Sequence, residues 1–304
     1  MPDSIGTEAV DQSFRLRDGR HLGYAEYGDP AGVPAFYFHG FPGARLAAQL
    51  HASDAVDAGV RVIAPDRPGM GLSDFQTRRR IADWPADVSE LANALSIDGF
   101  AVLGVSGGGP YALACASKIP ERITLCGVIS GMAPFAHVTQ QMKATNETIF
   151  LIARKTPWLL RTLLWLGAGR YAGSEEAMQK QVRAGFGELP PPDRVLMEDA
   201  SIERIVVAQA MEAYHRGAKG PAHEGKLLAR DWGFRLEDIS CENVRLWHGE
   251  MDVNVPAEAV RRLAKQITAC KAIFYPEEAH LSTIVHHGPE FMAAVRQASA
   301  TPMT

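Results

Sequence analysis

Residues 100–116 read FAVLGVSGGGPYALACA, and the parsing of that stretch decides the fold. Residues 100–105 are an unbroken apolar run of strand length, and from Pro110 the residues suit a helix. Between them Ser106 stands inside a glycine cluster, so the chain turns sharply from strand to helix on a serine. Gly104-x-Ser106-x-Gly108 puts a residue without a Cβ on either side, which lets the strand and the helix approach closely. The turn presents the hydroxyl at the top of a sheet, above a helix N-terminus that favours developing negative charge.

Outward from this stretch, apolar runs and helical patterns alternate. Residues 14–17 and 22–27, joined by Asp18-Gly19, read as a β-hairpin. Strands are expected over 35–38, 60–64, 123–129, 244–247 and 272–275, with helices over 44–58, 84–95 and 256–267 and a last one from Pro289. Continuous apolar strands between helices imply an α/β fold: a mostly parallel central sheet flanked by helices. In such sheets ligands sit beyond the carboxyl ends of the strands. The loops opening at His39, Asp66 and Ser106 each follow a strand and can converge there. From Pro134 to Asp231 the pattern is helical, over 138–155, 157–166, 175–184 and 192–214, with no strand. This predicts a core of residues 1–133 and 232–304 and an inserted helical cap, or lid, of residues 134–231. Its apolar part (Phe150, Trp158, Leu159, Leu160, Leu163, Leu164, Trp165) is expected mainly inside the cap, with some members on a pocket wall.

The 304 residues are 46% apolar and 22% charged, as in an ordinary globular protein. A net charge of −4 gives no reason to expect nucleic acid or an anionic membrane as partner. Arg78-Arg79-Arg80 reads as a solvated surface. The N-terminal residues show no basic region followed by an apolar core, so no leader peptide is expected. Arg154, Lys155, Pro157 and Arg161 interrupt the most apolar window, 148–167, so no membrane span is expected either. Four cysteines without a C-x-x-C read as thiols in a reducing, cytoplasmic compartment. No cofactor and no metal are expected, since G-x-G-x-x-G, the P-loop pattern and His/Cys clusters of ligand spacing are all missing. The expected partner is a small-molecule substrate; oligomeric state stays open.

A serine hydroxyl needs a base within hydrogen-bond reach, and the base needs an acid to fix its tautomer. His280, after the last strand, and Asp252, after the strand before it, fall on the edge where Ser106 lies. The order Ser106, Asp252, His280 is that of one fold in which nucleophile, acid and base follow one another in the chain. His39 and His248 read as turn supports, His286 and His287 as an exposed pair, and Glu250 as a rival to Asp252. An oxyanion needs backbone donors. Gly107 N–H follows the nucleophile, and Phe41 N–H is the natural second because Pro42 has none.

Together HGFPG (39–43), DRPGMGLSD (66–74), GVSGGG (104–109), HGEMD (248–252) and EEAHLS (277–282) resemble the α/β-hydrolase fold superfamily. The resemblance implies Ser106 as nucleophile, His280 as base, Asp252 as acid and a helical cap between two core strands. HGFPG also resembles epoxide hydrolases and haloalkane dehalogenases, but those use an aspartate where this chain has Ser106. No carboxylate follows the strand ending near Ser130, where some relatives keep their acid. The expected function is hydrolysis of a small, largely apolar ester through an acyl-enzyme on Ser106. The same parts also serve C–C bond hydrolysis or a proline-iminopeptidase-like peptidase. A rival of another class is a ligand-binding, receptor-like protein of slow turnover.

Overall fold

The hairpin expected at the N-terminus is the edge of an eight-stranded sheet in the computed structural model, which describes residues 10–134 and 142–300. β1 (Val10–Arg15) pairs antiparallel with β2 (His21–Gly28). β3 (Val33–Phe38) follows, then α1 (Ala52–Ala58), β4 (Val60–Pro65), α2 (Trp84–Ala94), β5 (Phe100–Val105), α3 (Gly109–Lys118) and β6 (Ile123–Ile129). The helix expected over 44–58 divides into a 3-10 segment, Arg45–His51, and α1.

A helical insertion comes next: α4 (Ala144–Lys155), α5 (Pro157–Gly167), α6 (Glu175–Ala184), α7 (Pro191–Leu196), α8 (Ala200–Ala213) and α9 (Lys219–Leu228). β7 (Val244–Gly249), α10 (Ala257–Gln266), β8 (Cys270–Tyr275), α11 (His280–His286) and α12 (Gly288–Ser299) complete the chain. Of the helix expected over 138–155, residues 138–141 lie outside the described residues. The single helix expected over 192–214 is two, because Asp199 caps a new start, its carboxylate accepting Ser201 N–H at 2.7 Å. α9 was not expected at all.

Strand order is β1-β2-β4-β3-β5-β6-β7-β8, and every neighbouring pair from β4 to β8 is parallel. β5 is buried along its whole length, as a strand covered on both faces must be. One face packs on α1 and α12 through Ala55, Phe291 and Val295. The other packs on α2, α3 and α10 through Leu91, Leu113 and Leu263.

Two expectations about side chains change. Arg79 is buried rather than solvated, for a reason given below, while Arg78 and Arg80 are exposed. In the insertion Phe150 and Leu160 are buried as expected, whereas Trp158, Leu163 and Trp165 stand exposed.

Candidate active site

Ser106 follows β5 directly and holds φ at +51°, a left-handed conformation that costs a non-glycine residue about 1–2 kcal/mol. The surrounding packing over-determines it. A Cβ on Gly104 would lie 2.5 Å from Gly108 O, and one on Gly108 would run into Phe38 O. Met132 N–H donates to Ser106 O at 2.9 Å and ties the turn to the chain beyond β6. The hydroxyl opens on a cavity of about 480 Å³ whose wall also includes His280, Phe41 and Gly107. Among the described residues the Ser106 side chain makes no hydrogen bond, so the serine and the imidazole share the cavity without being joined.

Asp252 lies in the loop after β7, fully buried. One carboxylate oxygen accepts the N–H groups of Asn254 (2.8 Å) and Val255 (2.9 Å); the other meets His280 Nδ1 at 2.7 Å. Burial pushes this carboxyl up, but the charge and hydrogen bond of His280 outweigh it and hold it below its ordinary 3.8. For His280 burial pulls down, while the charge and hydrogen bond of Asp252, helped by Asp193, lift the imidazole above its ordinary 6.5.

His280 is the first residue of α11, not part of a loop. The helix start is fixed on both sides: Ala279 N–H donates to Ser282 Oγ (2.7 Å), and Ser282 N–H donates to Asp193 of the insertion (2.8 Å). An acidic side chain suits the exposed donors of a helix N-terminus. Ser130, at the end of β6, donates its hydroxyl to the His280 carbonyl at 3.1 Å. The other candidate groups have partners of their own, although His248 Nε2 also lies 3.5 Å from the Asp252 carboxylate. Glu250 pairs with Arg261, and Glu278 with His286 at 3.0 Å. His287 stacks on Tyr275. His248 donates Nε2–H to Val255 O at 2.8 Å, and burial keeps its imidazole below the ordinary value.

Phe41 N lies 3.2 Å from the point a Cβ on Gly107 would occupy, so the two expected oxyanion donors belong to facing backbone segments. Gly107 is in the first turn after β5, where backbone donors have no acceptor from a preceding turn. The segment bearing Phe41 is held from behind. His39 accepts Arg67 N–H on Nε2 (3.2 Å), which leaves Nδ1 protonated and donating to Gly40 O (2.9 Å). Burial, then the Arg67 charge, keep this imidazole neutral. Arg67 also donates to His39 O (2.5 Å), Gly40 O (2.9 Å) and Glu224 of α9 (2.6 Å). The other Glu224 oxygen pairs with Arg79 and accepts Tyr111 OH at 2.8 Å. Burial pushes this carboxyl up, yet the two guanidiniums hold it at about 2. Arg79 is therefore buried because its partner, 145 residues away, is buried with it.

Most of the remaining cavity wall is apolar: Ile149 and Phe150 of α4, Leu164 of α5, Val182 of α6, Met197 and Val206. Among the described residues no carboxylate lines it. Glu203 is taken up by Arg183 and Gln179, while Glu175, Glu176 and Glu198 are exposed. No group of three or more His, Cys, Asp or Glu is placed to hold a metal ion among the described residues, and none of their helices is long and apolar enough to cross a membrane.

A sequence model of the alpha/beta hydrolase family matches residues 35–295, which runs from within β3 to within α12. The chain belongs to that family. Two relatives are each 33% identical over 126 residues. The non-heme chloroperoxidase of Streptomyces lividans match covers 38% of this chain and 43% of that protein. The proline iminopeptidase of Xylella fastidiosa match covers 40% and 38%. The chain thus spans about two fifths of the length of these relatives. A haloalkane dehalogenase of Mycolicibacterium paratuberculosis is 28% identical over 219 residues, 66% of this chain and 67% of that one. Among solved structures, an alpha/beta hydrolase fold protein from Nakamurella multipartita superposes with a TM-score of 0.69 at 23% identity, covering 95% of this chain and all of that one. A thermophilic esterase from Thermogutta terrifontis gives 0.68 at 20% identity, over 96% and 98%. Family members share the fold described above.

Of the five residues expected at the site, Asp252 and His280 are bonded to one another, and Ser106, Phe41, Gly107 and His280 line one cavity. Arg67, Glu224, Ser130 and Asp193 are the additions. The Arg67 position within DRPGMGLSD was visible in the sequence, but its partner was not.

Proposed function

We propose that the chain is a serine hydrolase that cleaves a small, largely apolar ester through an acyl-enzyme on Ser106. The observation that carries this reading is one mostly apolar cavity with Ser106 and His280 on its wall and a buried Asp252–His280 hydrogen bond behind it. Ser106 Oγ attacks the ester carbonyl carbon as its proton passes to His280 Nε2. Phe41 N–H and Gly107 N–H meet the oxyanion that forms. The tetrahedral intermediate expels the alcohol, which takes the proton from His280. A water then attacks the acyl carbon, giving its proton to His280, and the acid leaves as Ser106 Oγ recovers that proton. Asp252 stays ionised throughout and stabilises the imidazolium. The helical insertion acts as a cap, residues 134–231 on a core of 1–133 and 232–304, and its inner wall selects the acyl group.

The apolar wall favours an ester over the peptidase alternative. A substrate carrying a free amine calls for a carboxylate on the wall, and the described wall has none. Haloalkane chemistry does not suit Ser106 either: displacing a halide with Oγ would leave an ether that water does not hydrolyse.

A fluorophosphonate probe and a p-nitrophenyl acyl series test the reading. Rapid labelling and ester turnover, both lost in Ser106→Ala, are expected. Folded protein that neither labels nor turns over any ester, amide or 1,3-diketone of the panel would put the receptor-like reading in its place.

A further inference from the structure

Ten large apolar side chains are exposed among the described residues, and five of them fall between residues 151 and 166: Leu151, Trp158, Leu163, Trp165 and Leu166. Trp158 is 71% exposed and Trp165 50%, values far from the burial tryptophan ordinarily reaches. On α5 the spacing 158, 161, 162, 165 puts both indoles and Arg161 on one face. Leu166 stands about a quarter-turn from that face, and the exposed Leu163 lies nearer the far side, where Leu160 is fully buried. The charge is segregated too. Residues 148–174 contain Arg154, Lys155, Arg161 and Arg170 and no carboxylate, in a chain whose total is −4. Arg154, Lys155 and Arg161 are exposed and form no ion pair among the described residues.

Indole and leucine side chains interleaved with unpaired cations form a surface suited to the headgroup boundary of a bilayer. The helix is eleven residues, about 16 Å, so it would lie along such a surface rather than enter it. A second copy of the chain fits less well, because a two-fold contact of this patch with itself would bring six cations and no carboxylate of residues 148–174 into one interface. We propose that α5 and the end of α4 are a docking surface for an anionic lipid bilayer. The overall charge of the chain conceals it, since the cations are local and the surplus acid lies elsewhere. The inference stands on the insertion's outer face and is independent of the reaction proposed for the cavity.

Sedimentation of the full chain with vesicles of phosphatidylcholine and phosphatidylserine tests it. Binding to about 3:1 mixed vesicles is expected, with little on pure phosphatidylcholine and release at about 1 M salt, where the Debye length is about 3 Å. The partition coefficient is expected to fall about fivefold for each cation removed in R154Q/K155Q/R161Q. Trp158→Ala with Trp165→Ala is expected to lower it about tenfold. Both variants, away from the cavity, are expected to keep turnover of a water-soluble p-nitrophenyl ester within about twofold, which shows that they fold. Vesicle binding that persists in Ser106→Ala separates docking from catalysis, and a wild-type chain that binds vesicles but turns over no ester would remove the hydrolase reading alone. Absent vesicle binding, equal binding to neutral and anionic vesicles, or variants that bind like wild type would overturn the proposal. So would a dimer in light scattering that W158A/W165A dissolves while vesicles bind nothing, which would give the patch to a second copy.

Discussion

Asp252 and Glu224 are both carboxylates buried without solvent contact, and both are held below their ordinary range by cationic partners. They differ in what the partner can do. Asp252 faces an imidazole that can take up and release a proton and opens on a cavity. Glu224 faces two guanidiniums, which never give up a proton in proteins, and a phenol, all closed in by packing. Similar electrostatics thus serves proton transfer in one place and attachment in the other. Through Glu224 the insertion grips Arg67, and Arg67 grips the two carbonyls that precede the proposed oxyanion donor Phe41.

The sharpest way to break this comparison is to neutralise each carboxylate. Asp252→Asn is expected to lower kcat about 10⁴-fold, equivalent to about 5.5 kcal/mol, with a small change in melting temperature. If ester turnover survives within tenfold, the carboxylate behind His280 is not the acid of the site. Glu224→Gln is expected to do the reverse. It leaves two buried guanidiniums without a counter-charge and should cost about 3–5 kcal/mol of stability in denaturant titration, while an acyl-enzyme still forms on the folded fraction. A Glu224→Gln protein as stable as wild type would mean that the seam is held by something other than this cluster.

The two sites also separate by pH. Glu224 has a folded value of about 2 against an ordinary 4.5. Its contribution to stability is therefore fully present above pH 4.5 and is lost as pH falls through about 2. Wild-type melting temperature should drop over that window more steeply than that of Glu224→Gln. At the other site the neutral form of His280 is the base, and its pKa is raised. The acid limb of kcat/KM is expected to have its midpoint above 6.5. In the residual activity of Asp252→Asn the midpoint should move down, because burial then acts with less opposition. A limb that stays in place after that substitution would show that another group titrates.

The asymmetry between the two carboxylates also explains what could be read in the sequence. Asp252 and His280 each follow an apolar strand, and strand ends of a parallel sheet share an edge, so their meeting was legible from order alone. The 3.6-residue pattern likewise found most helices. Glu224 carries no such signal. It sits in α9, whose Gly220, Pro221 and Gly225 weaken the helical pattern, and its partners are 145 and 157 residues away. With that partner unseen, Arg79 looked like any member of a basic run. Trp158 and Trp165 failed for the opposite reason: apolar composition was read as interior, and only the packing of Leu160 inward shows which side of α5 faces out.

Ser130 gives the smallest and most discriminating test of the catalytic half of the comparison. It ends β6 where some relatives place an acid, holds φ at +45° and is fully buried. Its hydroxyl donates to the backbone carbonyl of His280, while its own N–H donates to Trp247 O at 2.8 Å. The residue therefore ties the end of β6 both to β7 and to the first turn of α11. Replacing the hydroxyl leaves the His280 carbonyl short of one buried donor, and Ser130→Ala is expected to cost about 1 kcal/mol of stability. If its role is to position the imidazole, kcat/KM should fall by up to about tenfold while the acid-limb midpoint stays where it was, since no charge has changed. A shift of that midpoint would instead implicate Ser130 in the proton chemistry. An unchanged kcat/KM with the same loss of stability would reduce it to a strut between β6 and α11, leaving Asp252 and the capped helix start to orient His280 by themselves.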